Sequence, residues 1–518
     1  MRSYTLRTAQ SGLRGLSRQA SSHSSKVACQ SYRSFIATPT WREEERKWTT
    51  PLAKQLTEAI NTTGPIPLAS YMRMCLTSDI GGYYTGAIEP GRDQFGRKGD
   101  FITSPEISQI FGELIGVWFV AEWMSQGRPK QGVELIEVGP GRGTLMDDML
   151  RTMRNFKDMA SSIETVYMVE ASKELRTAQK NLLCGEDAVM TESKIGWHST
   201  SKYSGLPIVW TDSIKAIPQD PSKTPFIVAH EFFDALPIHA FQVVEVPSTQ
   251  QSPPASGNSG PDANTSTTPS PTYQWREMVV SPTPPGTTHA DLGTPKAQQH
   301  DPVPEFQLTL SPTTTRHAQY LPESSPRYRA LKSLPGALIE ICPDASLYAA
   351  DFAARIGGAT PSPKNPAAVP KPRPSGAALI LDYGPADTIP ANSLRGIRQH
   401  RRVSPFAAPG LVDLSADVDF GAVAEAALLA SPGVEVHGPV DQAYFLESMG
   451  VRQRAEMLAQ KLGSGAASDE KKREIERSWK RLVDRGPGGM GKVYKALAIL
   501  PENGGRRRPV GFGGDVSA

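Results

Sequence analysis

Cysteine is scarce in this 518-residue chain. Its four cysteines, Cys29, Cys75, Cys184 and Cys342, lie far apart, with no C-x-x-C pair. That spacing supports neither a disulfide framework nor a zinc site, so no metal ligand is assigned. A run of about 18 apolar residues is also missing, so no membrane span is expected. Acidic residues are absent from the first 42 positions, which carry Arg2, Arg7, Arg14, Arg18, Lys26, Arg33 and Arg42. Those seven charges exceed the formal net charge of +3, so the remainder sits near −4. The rest of the chain therefore lacks the basic excess of a nucleic-acid binder. The acid-free, Arg- and Ser-rich opening, with Tyr4, Leu6, Leu13 and Leu16 between the arginines, reads as a mitochondrial transit peptide over 1–42.

Charged residues at 21% and aromatics at 7% suit a globular protein, whereas 45 Gly and 45 Pro are in excess. Much of that excess falls in low-complexity tracts between about 247 and 304, read as solvated linker. Residues 43–130 read as a mainly helical extension. The stretches "PLAKQLTEAI" and "IPLASYMRMCLT" repeat apolar residues at three- and four-residue spacing. In "SPEISQIFGELIGVWFVAEWM", Ser104 is expected to cap a helix with Pro105 in its first turn.

From 131 to 246 short apolar strands alternate with helices, which predicts a parallel sheet with helical crossovers. The strands are "VELIEVG", "TVYMVEAS", "LPIVW" and "PFIVAH". Between 247 and 375 the strand-like "YQWREMVV" and "EFQLTL" break this rhythm. Together with "IHAFQVVEV" they predict an inserted antiparallel β region with Pro/Ser/Thr-rich loops. The core resumes over 376–500 with "GAALILDYG", "VEVHG" and "KVYKALAIL", and 501–518 reads as a disordered tail.

The chemistry concentrates in "LIEVGPGRGTLMDDML", where a buried strand runs into Gly139-Pro140-Gly141-Arg142-Gly143 and then a helix. Glycines let a backbone turn sharply and approach a ligand. A dinucleotide fingerprint needs glycine where Thr144 stands, which argues against NAD or FAD. The G-x-G-x-G form with a preceding acid resembles S-adenosylmethionine-dependent methyltransferases. Glu170, about thirty residues on at the next strand end, suits a carboxylate that accepts two ribose hydroxyls. Asp212, after the third strand, is a candidate for the adenine end, or a cap.

In "FIVAHEFFDALPIHAF" a buried strand delivers Glu231 and Asp234 around Phe232 and Phe233. Buried carboxylates demand a partner. With "GRKGDFITSPEISQIFGELIGVW", "ALILDYG", "SLRGIRQH", "GLVDLSADVDF" and "MGKVYKALAI" in the same order, roughly Thr49–Leu500 resembles the MidA-like family. These are mitochondrial complex I assembly-factor methyltransferases.

The resemblance implies an α/β fold, a class I methyltransferase (Rossmann-like) seven-strand sheet. An N-terminal helical part and the inserted antiparallel β region decorate it. It also implies S-adenosyl-L-methionine as cofactor, a mitochondrial matrix location and a complex I subunit as protein substrate. The implied product is symmetric dimethylarginine. Glu231 and Asp234 would then grip the substrate guanidinium as catalytic residues, since two carboxylates match its planar fork. Alternatively, Glu231 meets the cofactor amine and Asp234 caps the turn at "ALP". Two other functions remain open: a non-catalytic assembly chaperone keeping the fold, and a small-molecule methyltransferase.

Overall fold

A computed structural model describes residues 47–86, 99–246, 272–359, 361 and 369–513. The candidate presequence and the tract at 247–271 fall outside the described residues. The described residues from Trp48 onward form one compact unit.

The central sheet contains nine strands: β1 (Val133–Val138), β2 (Ile163–Val169), β3 (Thr191–Ser193), β4 (Gly196–Thr200), β5 (Pro207–Thr211), β6 (Thr224–His230), β7 (Ala377–Tyr383), β8 (Val434–Asp441) and β9 (Tyr494–Pro501). Their spatial order is β8-β9-β7-β6-β1-β2-β5-β4-β3. β7, β6, β1, β2 and β5 are mutually parallel, and β9 runs antiparallel between β7 and β8. The expected seven strands are all present. The antiparallel hairpin β3–β4 extends the β5 edge to make nine. Its short polar strands leave no apolar alternation to read in the sequence.

β1 explains the two-sided burial. All six of its residues are buried, with Val133 and Leu135 in the core on one face and Ile136 and Val138 in the core on the other. Parallel strands covered on both faces read as continuous apolar runs. The helices Gln109–Ser125 and Thr144–Met153 contribute to the first core, and Pro343–Gly357 and Phe420–Ala430 to the second. A Cβ on Gly112 would stand 2.5 Å from the Asp148 Cβ, so only glycine allows this approach of the first two helices.

The antiparallel insertion is also present. The strands Ile66–Pro67, Thr272–Pro282, His239–Val246 and Leu338–Ile341 pair in that order, and Phe306–Leu310 pairs antiparallel with residues 278–282 on the edge opposite Ile66–Pro67. The N-terminal part is not a separate layer. Leu52, Ile60 and Tyr71 of its first two helices share a core with Ile238, Val280 and Phe306, whereas Gln109–Ser125 packs on the central sheet. A third sheet of Arg395–Arg398, Arg401–Val403 and Asp413–Ser415 had no clear sequence signal. Two further expectations are corrected. Thr103, not Ser104, precedes the short helix Ser104–Ile107, and Ser108 caps the long helix through the Ile110 amide. The C-terminal segment is packed up to Gly513: Phe512 is buried against Trp118 and Phe445, and the Trp118 indole donates to the Val510 carbonyl at 3.1 Å. Aromatic anchoring outweighs the Gly- and Arg-rich composition there.

Candidate active site

The carboxyl ends of the parallel strands are where ligands bind in open α/β sheets. Here a cavity of about 320 Å³ opens at those ends. Six of the eight residues singled out from sequence line it: Gly139, Pro140, Gly141, Glu170, Asp212 and Glu231.

The glycine loop leaves β1 with φ of +68° at Gly139, +52° at Gly141 and +84° at Gly143. A Cβ on Gly139 would meet Phe232 Cδ2 at 2.6 Å, so this glycine is required on both conformational and steric grounds. Gly143 stands behind the wall, where it starts the helix Thr144–Met153 and packs on Gln179.

Glu170 follows β2. Its carboxylate accepts from the Ser172 amide at 2.7 Å and from Gln179 Nε2 at 3.0 Å. Burial pushes its pKa up to about 7, against the pull of those two donors. Gln179 also donates to the Gly141 carbonyl at 2.6 Å and accepts from the Trp210 indole at 2.9 Å. It ties the glycine loop to Glu170, a role no local motif announces. Asp212 is exposed and pairs with Arg176 at 3.2 Å on the cavity rim. Glu137, on β1, also lines the cavity. It is fully buried, and its Oε2 has no hydrogen-bond partner.

The exit of β6 is strained. Glu231 adopts φ of +49°, uncommon for a residue with a side chain. What holds it is Asp382 at the end of β7. One carboxylate oxygen of Asp382 accepts from the amides of Phe232, Phe233 and Asp234 at 3.1, 2.9 and 3.3 Å, and the other accepts from the Tyr383 amide at 2.9 Å. The Glu231 amide donates to the Leu381 carbonyl at 3.0 Å.

Glu231 faces the cavity and accepts from the Ser104 amide at 3.4 Å. Burial, then the neighbouring Asp234, pushes its pKa well above the usual carboxylate range. His230 Nε2 lies 3.3 Å from Glu231 Oε1 without hydrogen-bond geometry, and burial pushes the imidazole down to about 3, so it is neutral.

Asp234 does not line the cavity. Its carboxylate accepts from the Tyr383 hydroxyl, and the Arg395 guanidinium stacks over the Tyr383 ring at 4.2 Å; burial pushes the Asp234 pKa up, against the pull of that hydroxyl and of Arg395. Asp234 is therefore engaged within the protein instead of opening on the cavity. Phe233 is core, whereas Phe232 lines the cavity.

The Gly99–Ser108 motif closes one side. Asp100 accepts from the Tyr83 hydroxyl at 2.8 Å and from the Gln399 amide at 2.8 Å, Thr103 and Glu106 reach the cavity, and Glu106 lies 3.9 Å from Arg142 of the glycine loop.

A sheet in this order, with a glycine loop after the first strand and an acid after the second, defines an S-adenosylmethionine-dependent methyltransferase. Comparison with known proteins agrees. Residues 114–440 match the family described as "Putative S-adenosyl-L-methionine-dependent methyltransferase", and the chain belongs to that family. It is 33% identical over 88% of its length to the mitochondrial protein arginine methyltransferase NDUFAF7 of Rattus norvegicus, covering 86% of that protein. It is 34% identical over 87% of its length to the Drosophila melanogaster homologue, covering 85% of that one. A solved structure from Burkholderia thailandensis, a likely methyltransferase bound to S-adenosyl-homocysteine, shares the fold. Its TM-score is 0.58 and its identity 21%, over 89% of this chain and 92% of that one.

Proposed function

We propose that this chain is a mitochondrial protein arginine methyltransferase. On this reading it acts in the matrix and makes symmetric dimethylarginine on a complex I subunit, so supporting complex I assembly. The observation that carries the reading is Glu231: a carboxylate only 10% exposed, on the wall of the same cavity that the glycine loop and Glu170 line. Relatives named protein arginine methyltransferases, mitochondrial, support the substrate class and the compartment.

The residues present fit the cofactor. Gly139 and Gly141 give close backbone approach, Glu170 presents a carboxylate for two ribose hydroxyls, and the unpartnered Glu137 Oε2 and His230 Nε2 are buried donors or acceptors awaiting a polar group. Asp212 stands at the rim for the adenine end. When bound, S-adenosylmethionine supplies an electrophilic methyl group on a sulfonium.

The chain's own residues do the rest. A guanidinium is protonated near neutral pH, with its charge delocalised. Glu231, ionised on meeting that cation, holds one guanidinium edge and biases positive charge toward it. Electron density stays on the other nitrogen, which Phe232 and the Thr103–Glu106 wall help to aim. Alignment of attacking nitrogen and methyl carbon is the main catalytic device in an in-line displacement. With S-adenosylmethionine bound, transfer of its methyl group to the nitrogen would leave the bonding pair on the departing sulfur, and Glu231 or water would take the nitrogen's proton. Asp234, held by the Tyr383 hydroxyl, acts on the Glu231 pKa rather than on substrate.

The test pairs Glu231→Gln with Asp234→Asn in an assay on matrix protein, read by mass spectrometry of dimethylarginine. Glu231→Gln should lose turnover at least about 100-fold, the usual scale of a general-base contribution. It should keep S-adenosylhomocysteine affinity. Intact turnover in the doubly substituted protein would sink the carboxylate grip.

A further inference from the structure

Outside this cavity, the inserted β region brings His239, Glu277 and His317 together. It is the one group of three potential metal ligands among the described residues with ligand atoms all within 4.8 Å. We propose that these three side chains form a zinc site, one per chain, with a fourth position open to solvent.

The site is built from three elements. His239 begins the strand His239–Val246, and Phe241 of that strand stands directly opposite Glu277 of Thr272–Pro282. Strand side chains alternate faces, so His239 and Phe241 share the face that Glu277 occupies, and His239 reaches Glu277 on the diagonal. His317 comes from the short helix Arg316–Tyr320, one of whose residues, Ala318, lies in the same apolar cluster as Phe241 and Trp275.

The ligand atoms converge. His239 Nδ1 hydrogen-bonds Glu277 Oε1 at 2.7 Å, a contact that a bound ion replaces, His317 Nδ1 lies 3.3 Å from each Glu277 oxygen, and the two imidazole rings are centred 4.3 Å apart. Glu277 is fully buried. Its second oxygen accepts from the Thr315 hydroxyl, the outer contact that orients a ligating carboxylate.

The two imidazoles and the carboxylate converge on one point, where a divalent ion can take a lone pair from each. Two imidazoles and one carboxylate suit zinc, and three protein ligands leave a water position. His317 is about half exposed (47%), which gives the ion an entry path and the water its place. The sequence could not suggest this site, because its ligands lie 38 and 40 residues apart across low-complexity sequence rather than in a ligand-spaced motif. None of the three lines the methyltransferase cavity, so the ion's role is to clamp the insertion.

The test uses the untagged full chain, stripped with chelator and titrated calorimetrically with zinc chloride. One zinc should bind per chain, and the thermal midpoint should rise with zinc concentration, as for any ligand that binds only the folded state. His317→Ala, at a half-exposed position, should weaken zinc binding by more than about tenfold, the least that loss of a mere outer-shell partner costs. It should abolish the thermal shift and leave S-adenosylhomocysteine binding unchanged. Cobalt substituted for zinc should give the visible absorption of a low-coordinate site, absent in His317→Ala. No stoichiometric zinc in the wild-type protein, or equal affinity in His317→Ala, overturns the proposal.

Discussion

At the scale of single residues, the question posed by Glu231 and Asp234 separates into two answers. Both are largely shielded from solvent, but only Glu231 opens on the cavity, while Asp234 is engaged by Tyr383 beside Arg395. The residue that fixes this arrangement is Asp382, whose two oxygens collect four backbone amides. Asp382→Asn replaces one acceptor oxygen with a donor NH₂ facing those amides. Leaving buried donors unsatisfied costs about 1–3 kcal/mol each. The expected outcome is a folded but less stable protein whose kcat falls more than its S-adenosylhomocysteine affinity, measured by turnover and calorimetry on the same sample. An equal loss of both would mean that Asp382 supports the whole sheet edge rather than the Glu231 loop. The sequence made Glu231 visible because a charge after an apolar run is conspicuous. It hid the work of Asp382, whose partners lie 148 to 150 residues away.

At the scale of elements, the strands of the sheet were legible because each is a short apolar run bounded by turn residues. The elements missed were those whose stability comes from elsewhere. The hairpin β3–β4 is polar, and the sheet at 395–415 depends on Asp100, which accepts from the Gln399 amide and whose carbonyl accepts from the His400 amide at 2.9 Å. The C-terminal segment is the clearest case. Its composition reads as a tail, yet Phe512 fills a site between Trp118 and Phe445, and Arg507 pairs with the buried Glu122. Phe512→Ala should cost about 3–5 kcal/mol, the usual loss for an aromatic removed from a core. Urea unfolding would measure it. A loss under about 0.5 kcal/mol, the range of ordinary surface changes, would restore the reading of an unanchored tail.

At the scale of the whole molecule, carboxyls buried at the sheet ends make stability depend on pH. Glu170, Glu134 and Asp413 are each pushed up to about 7, by burial above all. Their folded pKa values exceed the unfolded ones, near 4, so the folded chain binds more protons between these limits. The resulting stability is fully present below the unfolded pKa and is lost as pH rises through about 7. The ligand-free protein should therefore melt at a lower temperature at pH 8 than at pH 5.5. Glu170→Gln, neutral throughout, should flatten that slope, as followed by differential scanning calorimetry across the pH range. An identical slope in the variant would place the effect elsewhere.

Chain order and local pattern alone determined the parallel sheet, the glycine loop at the end of its first strand and the acid after its second. Each of these is a local property: burial on both faces dictates apolar runs, and sharp turns dictate glycine. Only the tertiary structure decided which carboxylate meets the cavity, which residues hold it there, and that His239, Glu277 and His317 converge. Those facts depend on contacts between segments distant in sequence, where the free energy comes from burial and pairing that no single stretch of chain encodes.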